Sequence, residues 1–166
     1  MKILVAVDLA THPATDLATH PATHLAVILA EATEKIVGKV ESLALALPAE
    51  VWVLHVALPD PDFVGYKAGP QSERDFLAKK FHEEHRQVQS ISSRLQEKGI
   101  VATALLVQGA TVETIIKEAS KLAVDMIVVG SHGRGMMAQL LIGSVSQGVL
   151  QQAKCPVLVI PTNKRA

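Results

Sequence analysis

The sequence predicts an α/β protein built on a five-stranded, parallel, doubly wound (Rossmann-like) sheet, strand order 3-2-1-4-5, with helices on both faces. Five short runs are almost entirely apolar and rich in Val, Ile and Leu, as parallel strands buried on both faces are: residues 2–8, 51–57, 101–109, 126–130 and 157–161. Helical patterns separate them, at residues 22–46, 73–98, 112–123 and 143–153. Strands that alternate with helices favour right-handed βαβ units within one sheet.

The first three helical patterns each carry an apolar face spaced for burial against the sheet. In the first helix we expect the inward residues to be Leu25, Ile28, Leu29, Ala32, Ile36, Val40, Leu43 and Leu47. In the second they are Phe76, Phe81, Val88, Ile91 and Leu95, and in the third Ile115, Ile116, Ala119 and Leu122. Thr111 is the expected N-cap of the third helix.

Length and composition indicate one domain over residues 1–166, large enough to bury a core without a disulfide or a metal. Lys and Arg total 16, as do Asp and Glu, so no electrostatic argument favours nucleic acid or an anionic membrane as partner. The lone Cys155 fits a small buried hydrophobe in a reducing compartment. The longest apolar region, residues 42–59, contains Pro48, Glu50 and His55, so we expect no membrane span and a cytoplasmic location.

A tandem repeat follows the first strand. "THPATDLA" at residues 11–18 is followed by "THPATHLA" at residues 19–26, a local duplication that lengthens this connection. It places His12, His20 and His24 near one another, and His20 and His24 could share a helix face. No carboxylate or Cys completes a convincing ligand set, so solvated histidines are favoured over a metal site. The "HEEH" run at residues 82–85 does not have the H-E-x-x-H spacing, so we interpret it as a solvated helix face.

Glycines cluster after the fourth strand. In an open α/β sheet, ligands bind beyond the carboxyl ends of the strands, which makes Asp8, Val56 and Gly130 candidates. Gly130 and Gly133 could form one wall of an anion site, and Gly143 with Ser144 a second wall at the N-terminus of the last helix. Backbone N–H groups can surround a phosphate only where Cβ atoms do not obstruct it. On spacing alone, phosphate binding and ordinary tight turns both stay open.

Several nucleotide-binding and phosphoacceptor classes are excluded by their missing motifs. The chain has no G-x-x-x-x-G-K-[ST], which excludes a P-loop NTPase. The first strand is followed by "DLATHP" rather than G-x-G-x-x-G, which excludes a dinucleotide-binding domain. A phosphoacceptor receiver domain would need paired acids after the first strand and an Asp after the third, where this chain has the single Asp8 and Gln108-Gly109.

The glycine spacing resembles that of a known family. Gly130-x2-Gly133-x9-Gly143-Ser144 matches the G-2x-G-9x-G-[S/T] pattern of the universal stress protein family. The surrounding "VDMIVVGSHGRG", "SVSQGVLQQAKCPVLVIP", "KILVAVD" and "VLHV" are also similar to that family, so the likeness covers almost the whole chain. In the family, members with the full pattern resemble ATP binders.

The resemblance implies a set of binding residues and partners. Ala6 (through its backbone) and Asp8 would contact adenine, and Val56 would line the base or ribose pocket. The remaining contacts, to ribose and phosphates, would come from Val129, Gly130, Gly133, Arg134, Gly143, Ser144, Val145 and Ser146. The ligand would be ATP, ADP or AMP, with Mg²⁺ as a candidate companion of the phosphates. The resemblance also implies a homodimer through the last strand, Pro156–Pro161, which would cover an exposed sheet edge.

Two features depart from the family pattern. The family has a short turn after the first strand, where this chain has the repeat, and the position of Arg134 is variable in the family.

The glycine segment contains no Lys, and no acid lies between Gly130 and Gln152. Phosphoryl transfer ordinarily needs such groups. We therefore expect no catalytic residues and a nucleotide-dependent stress-response regulator, with slow ATP hydrolysis at most. The alternative is a stress-related protein–protein interaction module whose nucleotide site is vestigial or blocked by the insert. His55 is expected to be a packed, hydrogen-bonded histidine.

Overall fold

A computed structural model describes residues 1–9, 21–57, 71–131 and 143–162. The strands are β1 Lys2–Ala6, β2 Glu50–Ala57, β3 Val101–Gln108, β4 Met126–Gly130 and β5 Val157–Ile160. The helices are α1 Pro21–Ala46, α2 Gln71–Glu97, α3 Thr111–Leu122 and α4 Ser144–Gln152. The strands form one parallel sheet in the order β3-β2-β1-β4-β5, so the predicted fold class and strand order are confirmed.

Side chains of successive strand residues enter two separate cores, one on each face of the sheet. Ile3 and Val5 of β1 join the core that α1 and α2 cover, whereas Leu4 joins the core under α3 and α4. On β2, Val53 joins the core under α1 and α2, and Leu54 joins the core under α3 and α4. All of these side chains are buried, because a strand with helices on both faces has no face left for solvent.

The predicted helix faces are largely correct near the sheet. The buried members are Leu29, Ala32, Ile36, Val40, Val88, Ile91, Leu95, Ile115 and Ala119. The half-buried members are Ile28, Leu43, Ile116 and Leu122, and the side chain of Leu25 lies outside the described residues.

Three of the predicted inward residues are wrong. Phe76 is 63% exposed and Phe81 36%, both in the first half of α2, and Leu47 is 51% exposed beyond the end of α1. The 27 residues of α2 span about 40 Å, whereas the eight-residue strands β2 and β3 span about 26 Å. The first half of α2 therefore extends past the ends of the strands, whereas its second half packs against the sheet.

The predicted N-cap of α3 is also wrong by one residue. The first intrahelical hydrogen bond runs from the N–H of Thr114 to the carbonyl of Ala110 at 2.9 Å, which makes Ala110 the N-cap. No side chain caps this end, and Thr111 is the first helical residue. The last helix, α4, begins at Ser144 and has Gly143 as its N-cap.

Helix α1 begins inside the predicted insert. Its first residue is Pro21, so residues 21–26 of the second repeat copy are helical, and residues 10–20 lie outside the described residues. Of the three repeat histidines, His12 and His20 lie outside the described residues, and His24 is part of α1. Among the residues that the structure describes, no group of three potential metal ligands occurs. The "HEEH" run is part of α2, where both histidines are exposed but Glu84 is only 3% exposed, so the expected solvated face is wrong for this residue.

Two exposed ion pairs join α1 to α2 and to the residue directly after α2. Both terminal nitrogens of Arg94 donate to the carboxylate of Glu34, each at 2.7 Å, and Lys98 Nζ lies 2.6 Å from Glu41 Oε2. The hydrogen bond from Arg94 lowers the pKa of the Glu34 carboxyl below its ordinary value. The same contact raises the pKa of the Arg94 guanidinium.

We expect this pair to make a small contribution to stability that disappears in acid. Because the Glu34 pKa is lower in the folded protein, the contribution is present above the unfolded-state value of 4.5 and is lost as pH falls through the folded pKa. Both side chains are about half exposed, so Glu34→Gln should cost only about 0.2–1 kcal/mol at pH 7. Urea unfolding of both proteins between pH 7 and 3 checks this. A free-energy difference that stays constant or grows on acidification would contradict it.

Candidate functional site

A cleft opens at the carboxyl ends of β1 and β4, where the strand order reverses. The chain leaves β1 toward α1 on one face of the sheet, whereas β4 leads toward α4 on the other face. The two connections diverge at this point and leave a space of about 300 Å³ between them. Open α/β sheets bind their ligands at such switch points.

The described members of the predicted site all line this cleft: Ala6, Asp8, Val56, Val129, Gly130, Gly143, Ser144, Val145 and Ser146. They come from the ends of β1, β2 and β4 and from the start of α4. The other two predicted residues, Gly133 and Arg134, lie outside the described residues. The fold thus brings together residues up to 140 positions apart in sequence, such as Ala6 and Ser146.

The N-terminus of α4 presents backbone donors at one end of the cleft. The first intrahelical bond of α4 runs from the N–H of Gln147 to the carbonyl of Gly143 at 2.9 Å. The N–H groups of Ser144, Val145 and Ser146 therefore have no acceptor within the helix, and no side chain caps this end. With the helix dipole, these groups make a region that favours an anion.

The Ser146 side chain braces this helix end instead of facing a ligand. Ser146 is only 3% exposed, and its hydroxyl donates to the carbonyl of Gly130 at the end of β4. The Gly143 N–H donates to the carbonyl of Ser131 at 2.6 Å, and the Ser131 N–H to Ile160 at 2.8 Å. The start of α4 is thus tied to the carboxyl end of the sheet, and Ser146 has only its backbone N–H left for a ligand.

The other end of the cleft is formed by the segment that leaves β1. Thr33 Oγ1 of α1 donates to the carbonyl of Asp8 at 3.0 Å, and His55 Nδ1 lies 3.0 Å from the carbonyl of Val7. His55 is 2% exposed, so its prediction as a packed, hydrogen-bonded histidine is confirmed. Its Nε2 has no hydrogen-bond partner within the described part of the chain and lies 3.9 Å from Glu84 Oε1, a buried carboxylate of α2.

Several lining residues were not identified from the sequence. The cleft is also lined by Val7, Leu29, Ala32, Thr33, Ile36, Leu54, Thr111 and Ile115. The apolar ones carry the same pattern as any core residue, so periodicity does not distinguish them. Thr33 offered a signal: it is a polar residue within the apolar face that contains Leu29 and Ile36.

The cleft has an apolar middle and few charges. Among the described lining residues the ionisable side chains are Asp8 and His55, and none is Lys or Arg. From the described residues, an anion at the α4 end would be held by backbone N–H groups, with the Ser144 hydroxyl as a further donor. The arrangement suits a ligand with a flat apolar body and an anionic tail.

Within the described residues, no helix is both long enough and apolar enough to cross a membrane.

The sheet order and the cleft define a small α/β protein with a cleft at its topological switch point, and comparison with known proteins identifies the family. The model of the universal stress protein family matches residues 1–161. The chain is 28% identical over 125 residues to universal stress protein MJ0531 of Methanocaldococcus jannaschii, covering 75% of this chain and 72% of the relative. It is 32% identical over 119 residues to a universal stress protein of Thermus aquaticus, covering 70% and 81%. The chain belongs to the universal stress protein family.

Solved structures show the same fold. The structure of MJ0577 superposes with a TM-score of 0.72 at 25% identity and covers 99% of this chain and 97% of that one. A universal stress protein in complex with cAMP gives 0.57 at 19% identity, covering 98% and 97%. The Archaeoglobus fulgidus protein in complex with dAMP gives 0.57 at 20%, covering 96% and 97%.

We expect the two serines at the start of α4 to differ in their effect on stability. Ser146→Ala removes a buried hydrogen bond to Gly130 and should cost about 1 kcal/mol. Ser144→Ala changes an exposed residue and should stay within about 0.5 kcal/mol of the parent protein. Urea unfolding measures both. Equal losses for the two variants would show that the Ser146 hydroxyl does not brace the helix.

Proposed function

We propose that the cleft binds an adenine nucleotide with up to three phosphates, as in ATP, and that the protein acts as a nucleotide-dependent regulator in the stress response. The observation that carries the proposal is the cleft itself. It runs from the backbone of Ala6 and Asp8 to the uncapped N-terminus of α4, with apolar side chains between. Its volume of about 300 Å³ is at the lower end of the range for small-molecule sites, about 300–1,000 Å³.

The phosphate end rests on backbone geometry. Gly143 has φ −58° and ψ 154°, a conformation open to any residue, so the backbone conformation does not require glycine here. Space is the remaining explanation, because a Cβ at the N-cap would stand where an anion approaches the N–H groups of Ser144 and Val145. The roles of Gly133 and Arg134 in closing this site stay predictions.

Two of the comparisons support the ligand class. Two solved relatives are complexes with cAMP and with dAMP, which are both adenine nucleotides. Their identity to this chain is 19–20%, so they support the fold and make an adenine nucleotide reasonable. The further phosphates of ATP rest on the complete glycine pattern from Gly130 to Ser144. Mg²⁺ would bind only together with those phosphates.

We infer that the protein holds nucleotide without turning it over efficiently. Fast phosphoryl transfer needs cationic side chains on the phosphates and an acid to hold the metal. Among the described lining residues the one carboxylate is Asp8, and it lies at the β1 end of the cleft, away from the start of α4.

The remaining parts of the proposal concern assembly and location. β5 is the edge strand of the sheet, and Val157, Leu158 and Val159 are only partly buried in the single chain. We propose that a second copy covers this edge through residues 156–161, since β5 pairs only with β4 among the described strands and a free apolar sheet edge favours association. A cytoplasmic location is part of the same proposal.

Nucleotide binding should depend on the absence of a side chain at residue 143. We expect ATP to bind the parent protein and Gly143→Val to weaken that binding at least about tenfold, because the added Cβ and methyl groups block the N–H groups of α4. The stability cost of Val at an N-cap is about 1 kcal/mol, so the variant should remain folded. Isothermal titration calorimetry with ATP, ADP and AMP measures the effect, with and without Mg²⁺.

The matched control is Gly38→Ala, a glycine substitution in α1 where an added Cβ meets nothing within 4 Å. It should bind ATP as the parent does and gain up to about 1 kcal/mol in stability from better helix propensity. Binding that survives Gly143→Val would contradict the phosphate site. If none of the three nucleotides binds the parent protein, the interaction-module alternative is favoured.

We expect ATP turnover by the purified protein to be far below ordinary enzyme rates of about 1–1,000 per second. The physical reason is that the described lining residues place no Lys, Arg or carboxylate at the phosphate end. Phosphate release under saturating ATP and Mg²⁺ measures it, with Gly143→Val as the blank for contaminating ATPases. Turnover in the ordinary range that is abolished in Gly143→Val would overturn the binding-only view.

A further inference from the structure

The geometry points to Thr33 and His55 as positioning residues that fix base selectivity at the β1 end of the cleft. We call residues Val7–Leu9, which leave β1, the β1-exit segment. The inference rests on the proposed nucleotide function and goes beyond it. It says how the site distinguishes adenine from another purine with the same ribose and phosphates.

The β1-exit segment is held on several sides although it is not part of a strand. The N–H of Val7 donates to the carbonyl of Leu54 at 2.9 Å. The side chains of Val7 and Leu9 are buried in the core under α1 and α2, with 5% and 4% exposed. Asp8 lies between these two anchored residues and lines the cleft, so its backbone has little freedom to move.

Two side chains from other elements hold the carbonyls of this segment. His55 must donate its Nδ1 proton to Val7, because a carbonyl oxygen can only accept. Thr33 donates from α1 to Asp8 at 3.0 Å. A helical threonine more often bonds a carbonyl one turn back in its own helix, whereas this hydroxyl reaches a residue 25 positions away. Both donors are at least 94% buried, so water does not readily replace them.

Fixing these carbonyls affects base selectivity because adenine and hypoxanthine place hydrogen-bond donors and acceptors differently along one edge. Adenine presents an amino donor at C6 and an acceptor at N1, whereas hypoxanthine presents an acceptor at C6 and a donor at N1. A flexible segment could rotate its peptide groups to suit either base. A segment with its Val7 and Asp8 carbonyls fixed presents a single polarity and leaves groups unpaired against the wrong base. Thr33 and His55 therefore act on the ligand through the β1-exit segment.

The test compares ATP with ITP, which differ in the base alone. We expect the parent protein to prefer ATP, and Thr33→Val to reduce the ratio of the ITP and ATP dissociation constants about fivefold to tenfold, since the Asp8 carbonyl loses its fixed partner. Thr33→Ser keeps the hydroxyl and should restore the ratio. Ser144→Ala, at the phosphate end, should weaken both nucleotides equally and leave the ratio unchanged. Gly38→Ala should change neither constant.

A second pair of variants tests the same inference independently, in case Thr33→Val does not fold. His55→Asn retains an N–H donor near the position of Nδ1, whereas His55→Leu removes it. The leucine variant should lose selectivity, and the asparagine variant should retain more of it at similar stability. Circular dichroism and urea unfolding confirm that each compared protein is folded.

The outcomes separate this inference from the function on which it rests. A parent protein that binds neither nucleotide overturns both. A parent protein that binds ATP and ITP equally overturns the inference alone. So does a Thr33→Val variant that keeps the parent ratio, or that weakens ATP and ITP by the same factor, which is what a merely structural role would produce.

Discussion

The central strand β1 is the constraint on which the rest of the structure depends. It pairs in parallel with β2 on one side and β4 on the other, and its side chains alternate between two buried cores. A parallel strand requires a crossover connection, and the right-handed crossovers on the two sides of β1 place α1 and α2 on one face and α3 and α4 on the other. The cleft is the gap that this divergence leaves at the carboxyl end of β1.

The side chains around the cleft hold the protein together, and the backbone offers the proposed binding groups. Ser146, Thr33 and His55 each donate to a carbonyl of a segment that borders the cleft. Binding through N–H groups and fixed carbonyls requires a rigid frame, since a backbone can present donors and acceptors accurately only where its conformation is restrained. In this site the hydrogen bonds that stabilise the fold also fix the shape of the proposed ligand pocket.

The neutral charge balance of the chain and the few charged side chains among the described residues of the cleft have a common consequence. Anion binding through a helix N-terminus does not require a basic surface, and a chain with equal numbers of acidic and basic residues can still hold a phosphate. Such a site binds by shape and local dipoles, with little attraction at long range. This fits a protein whose proposed role is to be occupied or empty and to report that state to a partner.

By itself, the sequence determined the fold class, because apolar runs and helical periodicity reflect burial that local residues already encode. The predicted strand order followed from that class and not from periodicity, and the structure confirms it. The sequence did not determine where α2 passes beyond the sheet, so Phe76 and Phe81 were misassigned: periodicity shows which face of a helix is apolar and not what lies opposite it. The single-residue error at Ala110 has a similar origin, since the first intrahelical hydrogen bond and not residue type decides the cap. Only the tertiary structure brought Thr33 and His55 to the β1-exit segment, because a contact over 25 or 48 positions depends on how α1 and β2 pack and leaves no local pattern in the chain.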